Sequence, residues 1–186
     1  MSHVLTRRMT VEEFLARPEG DAKVELVDGR VEQHMPPRWD HGMDQLTLGA
    51  SLRGHLRRAD PRGVVTVEAE LPTGPHSVRR ADVMYFGPDS LDYLDRATGR
   101  ITGPPDLVIE IVSPGATGRD YVDKLDEYAR TGIPHYWIVD RERHTVETYE
   151  LEGDAYRLVA RFGRGEALTS PLLPGFSLPL AELFVE

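Results

Sequence analysis

Asp106-Leu107-Val108-Ile109-Glu110-Ile111-Val112 is the stretch that decides the fold. It is nearly continuous in apolar residues, as a strand covered by protein on both faces requires; a strand wet on one face would alternate. Ser113-Pro114-Gly115 ends it, and Arg119 to Arg130 then reads as a helix, with Asp120 near its start and Gly132 beyond its end. His135 to Asp140 is a second strand of the buried type. On the N-terminal side, Val64 to Leu71 and Val78 to Phe86 are strand-like runs separated by the turn signal Thr73-Gly74-Pro75. Before them, Met43, Leu46, Leu48, Leu52 and Leu56 recur at near-helical intervals after Asp40, a candidate N-cap. The order is α-β-β-β-α-β, with helix 40–58 first, and it predicts an α/β fold with a mixed central sheet flanked by helices.

Both ends add to this core. Thr10-Val11-Glu12-Glu13 has capping-box spacing and predicts a short helix from Val11 to about Ala16, stopped by Pro18 and Gly20. Lys23 to Val27 and Arg30 to Met35 flank Asp28-Gly29, a two-residue hairpin signal, and Pro36-Pro37 ends that hairpin. A helical turn is expected near Leu91 to Leu94. Thr145 to Leu151 and Tyr156 to Phe162 predict a C-terminal hairpin around Glu152-Gly153-Asp154. The Leu/Pro-rich tail is expected to pack on the surface and to end in a short turn at Leu180 to Phe184.

At 186 residues, the stretch 1–186 suits a single domain. Hydrophobic residues at 40% and charged residues at 28% belong to a folded chain. No apolar run approaches the roughly 18 residues that span a bilayer, and no secretory signal follows the basic N-terminus. The absence of cysteine excludes disulfides and thiolate metal sites and fits a cytoplasmic location. A net charge of −9 argues against a general nucleic-acid coat protein. It leaves room for a nuclease, because carboxylates gathered around a cation count as negative charge until the metal arrives.

Glu110 interrupts the apolar run, where burial without a partner costs several kcal/mol or raises the pKa. The partner is Arg79, Arg80 or a backbone N–H cluster on one reading, and a metal ion on the other. Asp82 lies in the strand Val78 to Phe86, on the face of Arg80 and Met84. It either pairs with one of these arginines or converges with Glu110, and two carboxylates suit Mg²⁺ or Mn²⁺. Lys124 shares a helix stripe with Tyr121 and Tyr128, whereas Asp123, Asp126 and Arg130 take the solvated side. Its amine either points back at the sheet or pairs with Asp120 one turn earlier. Glu25, between Val24 and Leu26, reads locally as a solvent-facing alternate of an edge hairpin or as a further ligand. His41 opens the long helix, where it could touch a phosphate or finish the helix entry. Arg53, Arg57, Arg58 and Arg62 cluster at its far end, complementing the helix dipole or guiding a nucleic acid. Phosphate-binding GxxxxGK[ST], HExxH and GxSxG signatures are absent, as is metal-ligand spacing among the histidines.

The strings Glu25-Leu-Val-Asp-Gly29, Arg80-Ala-Asp-Val83 and Pro105-Asp-Leu-Val-Ile-Glu-Ile-Val-Ser-Pro114 resemble the Uma family of putative restriction endonucleases. So do Asp120 to Lys124 followed by Tyr128-Ala129, then Gly132-Ile-Pro134, Tyr136-Trp-Ile-Val-Asp140 and Leu172-Leu-Pro-Gly-Phe176. The resemblance implies the restriction-endonuclease-like αβββαβ core of the PD-(D/E)XK superfamily. It also implies Asp82 and Glu110 as ligands of Mg²⁺ or Mn²⁺, helped by the backbone carbonyl of Ile111, with Glu25 as an N-terminal member of the site. Ala81 stands where the superfamily has proline, and Val112 where it has lysine; Lys124, fourteen residues after Glu110, would supply the amine from the helix. The implied activity is hydrolysis of DNA phosphodiesters. The rival from another class is a nuclease-fold protein that binds nucleic acid or a partner without cutting, and a more distant one is a metal-free acid/base hydrolase. A homodimer is the expected assembly, since the C-terminal hairpin offers edges for pairing.

Overall fold

The computed structural model describes residues 7–18, 23–34, 36, 38–112 and 118–185. The turn expected at Ser113 to Gly115, together with Gly20, Met35 and Pro37, lies outside them, as do the side chains of Asp120 and Tyr121.

Helix α1 (Val11–Leu15) carries the expected capping box, with the Thr10 hydroxyl accepting from the Glu13 N–H and the Glu13 carboxylate accepting from the Thr10 N–H. Strands β1 (Val24–Val27) and β2 (Arg30–Gln33) form the hairpin. Asp28 and Gly29 both have positive φ (50° and 80°), the pair of left-handed residues that a tight hairpin turn demands. Helix α2 (Trp39–Ala59) begins one residue before the predicted Asp40. Arg38 holds the N-cap position without a side-chain cap, and Asp40 sits inside the first turn, where its charge complements the dipole.

Strands β3 (Val64–Gly74) and β4 (Ser77–Phe86) are longer than expected, leaving only Pro75 and His76 between them. A 3-10 turn over Pro88–Tyr93 leads into a small ribbon of β5 (Leu94–Asp95) and β6 (Arg100–Ile101). Strand β7 (Leu107–Val112), helix α3 (Gly118–Thr131) and β8 (His135–Asp140) follow, then the antiparallel β9 (Thr145–Glu152) and β10 (Ala155–Gly163). The order α2-β3-β4-β7-α3-β8 is the αβββαβ core, and its sheet is mixed: β7 and β8 are parallel, the other pairs antiparallel.

One topological detail positions everything that follows. Strand β3 takes one edge of β4 along almost its whole length. The other edge is shared: β7 pairs with Val83 to Tyr85, and β1 pairs at Val78. The segment Arg79 to Asp82 therefore lies in a fork between β1 and β7.

Each face of the sheet is sealed by one helix. Leu48, Leu52 and Leu56 of α2 pack on Val83, Ile109, Trp137 and Val139. Tyr128 of α3 packs with Ile133 on Met84, Val108, Tyr136 and Ile138 of the opposite face. This is why β7 has no polar alternation apart from Glu110. The tail departs from expectation. Leu168, Leu173, Phe176, Leu178, Leu180, Leu183 and Phe184 are all buried in the α2-side core, held by β11 (Ala167–Leu168) against β12 (Leu178–Pro179) and by α4 (Leu180–Leu183). An apolar tail rich in proline cannot lie on water at low cost, and here it completes the hydrophobic layer under α2. No helix among the described residues is long and apolar enough to cross a membrane.

Candidate active site

The strand registers assemble a row of carboxylates. One step beyond the Val83–Ile109 pair, Asp82 of β4 faces Glu110 of β7. Between the pairs Val67–Val83 and Ala69–Ala81, Glu68 of β3 faces Asp82 from the other side. Glu68 adopts φ +52° in mid-strand, a conformation that costs a non-glycine residue on the order of 1–3 kcal/mol. Glu68, Asp82 and Glu110 thus share one rung on three adjacent strands.

Asp82 is the centre of the row and is 3% exposed. Its Oδ2 accepts the Ile111 backbone N–H at 2.7 Å, and its Oδ1 lies 3.0 Å from His41 Nε2 and 3.5 Å from Lys23 Nζ. Burial pushes its pKa up, but the His41 hydrogen bond and charge, Lys23 and the Ile111 N–H outweigh burial and hold it below the usual range. Gln45 Nε2 donates to the Asp82 carbonyl at 2.7 Å and to Glu68 Oε1 at 3.1 Å, tying α2 to the rung. Lys23 Nζ donates to Glu68 Oε1 at 2.8 Å. Ligand atoms of His41, Glu68 and Asp82 all lie within 4.8 Å of one another, close enough to share a metal ion. Among the described residues, His41 Nδ1 is buried without a hydrogen-bond partner.

Glu110 looks toward α3. Lys124 Nζ donates to its Oε2 at 2.8 Å and the Tyr128 hydroxyl to its Oε1 at 2.6 Å. Burial raises the Glu110 pKa, and the neighbouring Asp82 charge adds to this against the opposing pull of Lys124 and Tyr128. Burial works against the Lys124 ammonium, yet the charges of Glu110 and Glu25 prevail and its pKa is raised. The amine has thus turned to the sheet, not to the helix surface.

Glu25 occupies the β1 prong of the fork and is 2% exposed, which rules out the solvent-facing reading. Its Oε1 accepts the Arg80 backbone N–H at 2.9 Å. Its Oε2 accepts from Arg79 at 3.1 Å and stands 3.1 Å from His34 Nε2. Burial opposes its charge, but these partners and the nearby Lys124 hold its pKa far below the usual range. Arg79 also donates from Nε and NH2 to Glu127 Oε2 at 2.9 and 2.5 Å, clamping α3 to β4. Arg79 and Arg80 are therefore not the partners of Glu110 or Asp82: Arg79 serves Glu25 and Glu127, and Arg80 Nε donates to the Glu68 carbonyl.

The family model described as Uma2, putative restriction endonuclease, matches residues 11–181. The chain belongs to that family. Among solved structures, a putative nuclease belonging to DUF820 from Anabaena variabilis ATCC 29413 superposes with a TM-score of 0.75. The match covers 95% of this chain and 97% of that one at 21% identity, and it shows the shared fold. No curated protein matches the chain.

Within this Uma2 chain, the fork brings Asp82, Glu110, Lys124 and Glu25 together, and Ile111 contributes its N–H to Asp82. Sequence reading missed Glu68, Lys23 and Gln45. Glu68 sits in Val-Thr-Val-Glu-Ala-Glu-Leu, where it looks like an ordinary solvent-facing alternate, and nothing local marks its positive φ. Tyr128 was visible only as a stripe-mate of Lys124. The arginine cluster is elsewhere: Arg57 lies sixteen residues past His41 on α2, about 24 Å away at the ~1.5 Å rise of a helix.

Proposed function

We propose that the protein is a divalent-metal-dependent DNA endonuclease, with Asp82, Glu110 and Lys124 at its centre and Mg²⁺ or Mn²⁺ as its cofactor. The observation that carries this is the rung Glu68–Asp82–Glu110, a row of carboxylates flanked by Lys23 and Lys124. A core built only for stability would place apolar residues there. The donor set fits the ion. Carboxylate oxygens are the ligands Mg²⁺ and Mn²⁺ prefer, an imidazole is compatible with Mn²⁺, and the His41–Glu68–Asp82 atoms are near enough to converge.

Asp82 would hold the ion together with Glu68 and His41, and Glu110 is the further carboxylate that would join them. When bound, the ion supplies Lewis acidity at a nonbridging phosphate oxygen. Lys124, pinned by Glu110, places a fixed positive charge beside the phosphate, orienting the attacking water and stabilising the charge that develops. Glu25 acts as a positioning residue, since both of its oxygens are already engaged and its charge helps to keep Lys124 protonated. Cutting both strands from one site calls for two copies. Strand β10, at the sheet edge with Leu158 and Val159 exposed, is the edge on which a homodimer would pair.

The test is cleavage of supercoiled plasmid by the purified protein with Mn²⁺, with and without EDTA. Cutting that disappears in Asp82→Ala, Glu110→Ala and Lys124→Ala supports the assignment. Equal residual cutting in all three would mark a contaminant and sink it. Tight DNA binding without cutting would favour the non-cleaving alternative.

A further inference from the structure

The mechanism above leaves Lys23 without a task, although it stands inside the site. Its Nζ lies 2.8 Å from Glu68 Oε1 and 3.5 Å from Asp82 Oδ1, the two carboxylates that, with His41, could share a metal ion. We infer that Lys23 is the resident cation of this site: its ammonium fills the seat between Glu68 and Asp82, and a divalent ion binds there only by displacing it. This rests on the metal reading proposed above.

Three observations support the assignment. An ammonium seated within reach of Glu68 Oε1 and Asp82 Oδ1 repels a divalent cation that would use the same two oxygens, and their partial burial makes that repulsion stronger than it would be in bulk water. Lys23 also differs from Lys124 in how it is anchored. Lys124 projects from the middle of α3 onto Glu110, whereas Lys23 precedes the first residue of β1 and is tied to the hairpin by its carbonyl, which accepts the His34 N–H at 2.9 Å. Its side chain is one-fifth exposed, so it can swing outward without breaking a strand pair. Finally, the pair of carboxylates it bridges would be left facing one another if it moved and nothing replaced it, so exchange for an ion is favoured over simple departure.

The consequence is a protein whose apparent metal affinity is scaled down to the fraction of molecules in which the ammonium is out of the seat. The probe is MnCl₂ alone, titrated calorimetrically into the full chain and into Lys23→Met, Lys23→Gln and Asp82→Asn, with thermal melts in parallel. Removing the ammonium should tighten Mn²⁺ binding by roughly tenfold or more in both Lys23 variants. Without metal these variants should melt lower than the parent, and Mn²⁺ should raise their Tm by more than it raises the parent's. Asp82→Asn should lose binding. If both Lys23 variants bind Mn²⁺ no more tightly than the parent while Asp82→Asn abolishes binding, Lys23 is not the competitor and the metal reading stands. If neither the parent nor either Lys23 variant binds Mn²⁺, both ideas fall.

Discussion

Two glutamates are buried in the same fork and are pushed in opposite directions. Glu25, on the β1 prong, is held far below the ordinary carboxylate range; Glu110, on the β7 prong, is raised above it. Burial penalises both. The difference lies in what surrounds them. Glu25 accepts from a guanidinium and a backbone N–H and has an imidazole 3.1 Å away, so its charge is matched by nearby fixed partners. Glu110 has one ammonium and one phenol, and it also faces Asp82 across the strand pair. A carboxylate that the protein itself does not fully compensate is one that a further cation would stabilise. Glu25 therefore looks built to hold the fork together, and Glu110 to receive something.

The largest effect that tests this division is on Arg79. Arg79→Met removes the cation shared by Glu25 and Glu127 and leaves both buried with much weaker partners. Breaking a buried pair in this way costs about 3–5 kcal/mol, measured as a shift in the urea midpoint at constant m-value. A loss below about 1 kcal/mol would mean that the network is no firmer than a surface ion pair, and the contrast between the prongs would collapse.

How far this was legible in the sequence follows the same line. The αβββαβ order could be read because β7 and β8 are nearly continuous apolar runs, α3 is strongly amphipathic and α2 carries apolar residues at near-helical intervals. Glu110 stood out because a charge inside such a run is a physical anomaly, whereas Asp82, next to Arg79 and Arg80, became a candidate only because the strand order could bring it to Glu110. Lys124 was ambiguous until the chain's likeness to a family gave it a role, since a helix stripe does not say which way an amine turns. Glu25 read locally as solvent-facing and entered the site only through the family likeness, and Glu68 was hidden altogether, because alternation on a strand mimics exposure. The burial of Glu25 depends on β1 and β7 sharing one edge of β4, and the placement of Glu68 on β3 pairing along the other edge, long-range registers that no local window contains. The tail misled for the opposite reason. Its prolines and glycine suggested a surface segment, but its leucines and phenylalanines are the ones that fill the core beneath α2.

The opposite pKa shifts predict opposite pH dependences. For Glu25 the folded pKa is depressed, so its contribution is complete above the unfolded value of about 4.3 and is lost as pH falls through the lower folded value. Glu25→Gln should therefore cost about 2 kcal/mol near neutrality, less than Arg79→Met because Arg79 keeps Glu127, and the deficit should shrink in acid. For Glu110 the folded pKa is raised, so ionisation itself weighs against the fold above that value. Glu110→Gln should be within about 1 kcal/mol of the parent at neutral pH, and its standing should improve, not worsen, as pH rises from acid. Urea titrations of both variants from about pH 2.5 to 7 give the two slopes, that of Glu25→Gln below about pH 4.3 and that of Glu110→Gln above it. Slopes of the same sign would erase the comparison.

The smallest predicted effect is also the most discriminating. Tyr128→Phe removes one hydroxyl, the donor to Glu110 Oε1, from a fully buried ring that otherwise stays packed against Tyr136. Glu110 can answer by holding a proton more readily, which caps the stability loss at about 1 kcal/mol. The same response pushes its pKa further up, so the acid limb of Mn²⁺-dependent plasmid cleavage should move to higher pH while the melting temperature changes little. If Tyr128→Phe instead destabilises the protein as much as Glu25→Gln and leaves the acid limb where it was, then Glu110 is anchored as firmly as Glu25. Its raised pKa would then be a by-product of burial and not a sign of a site waiting for a cation.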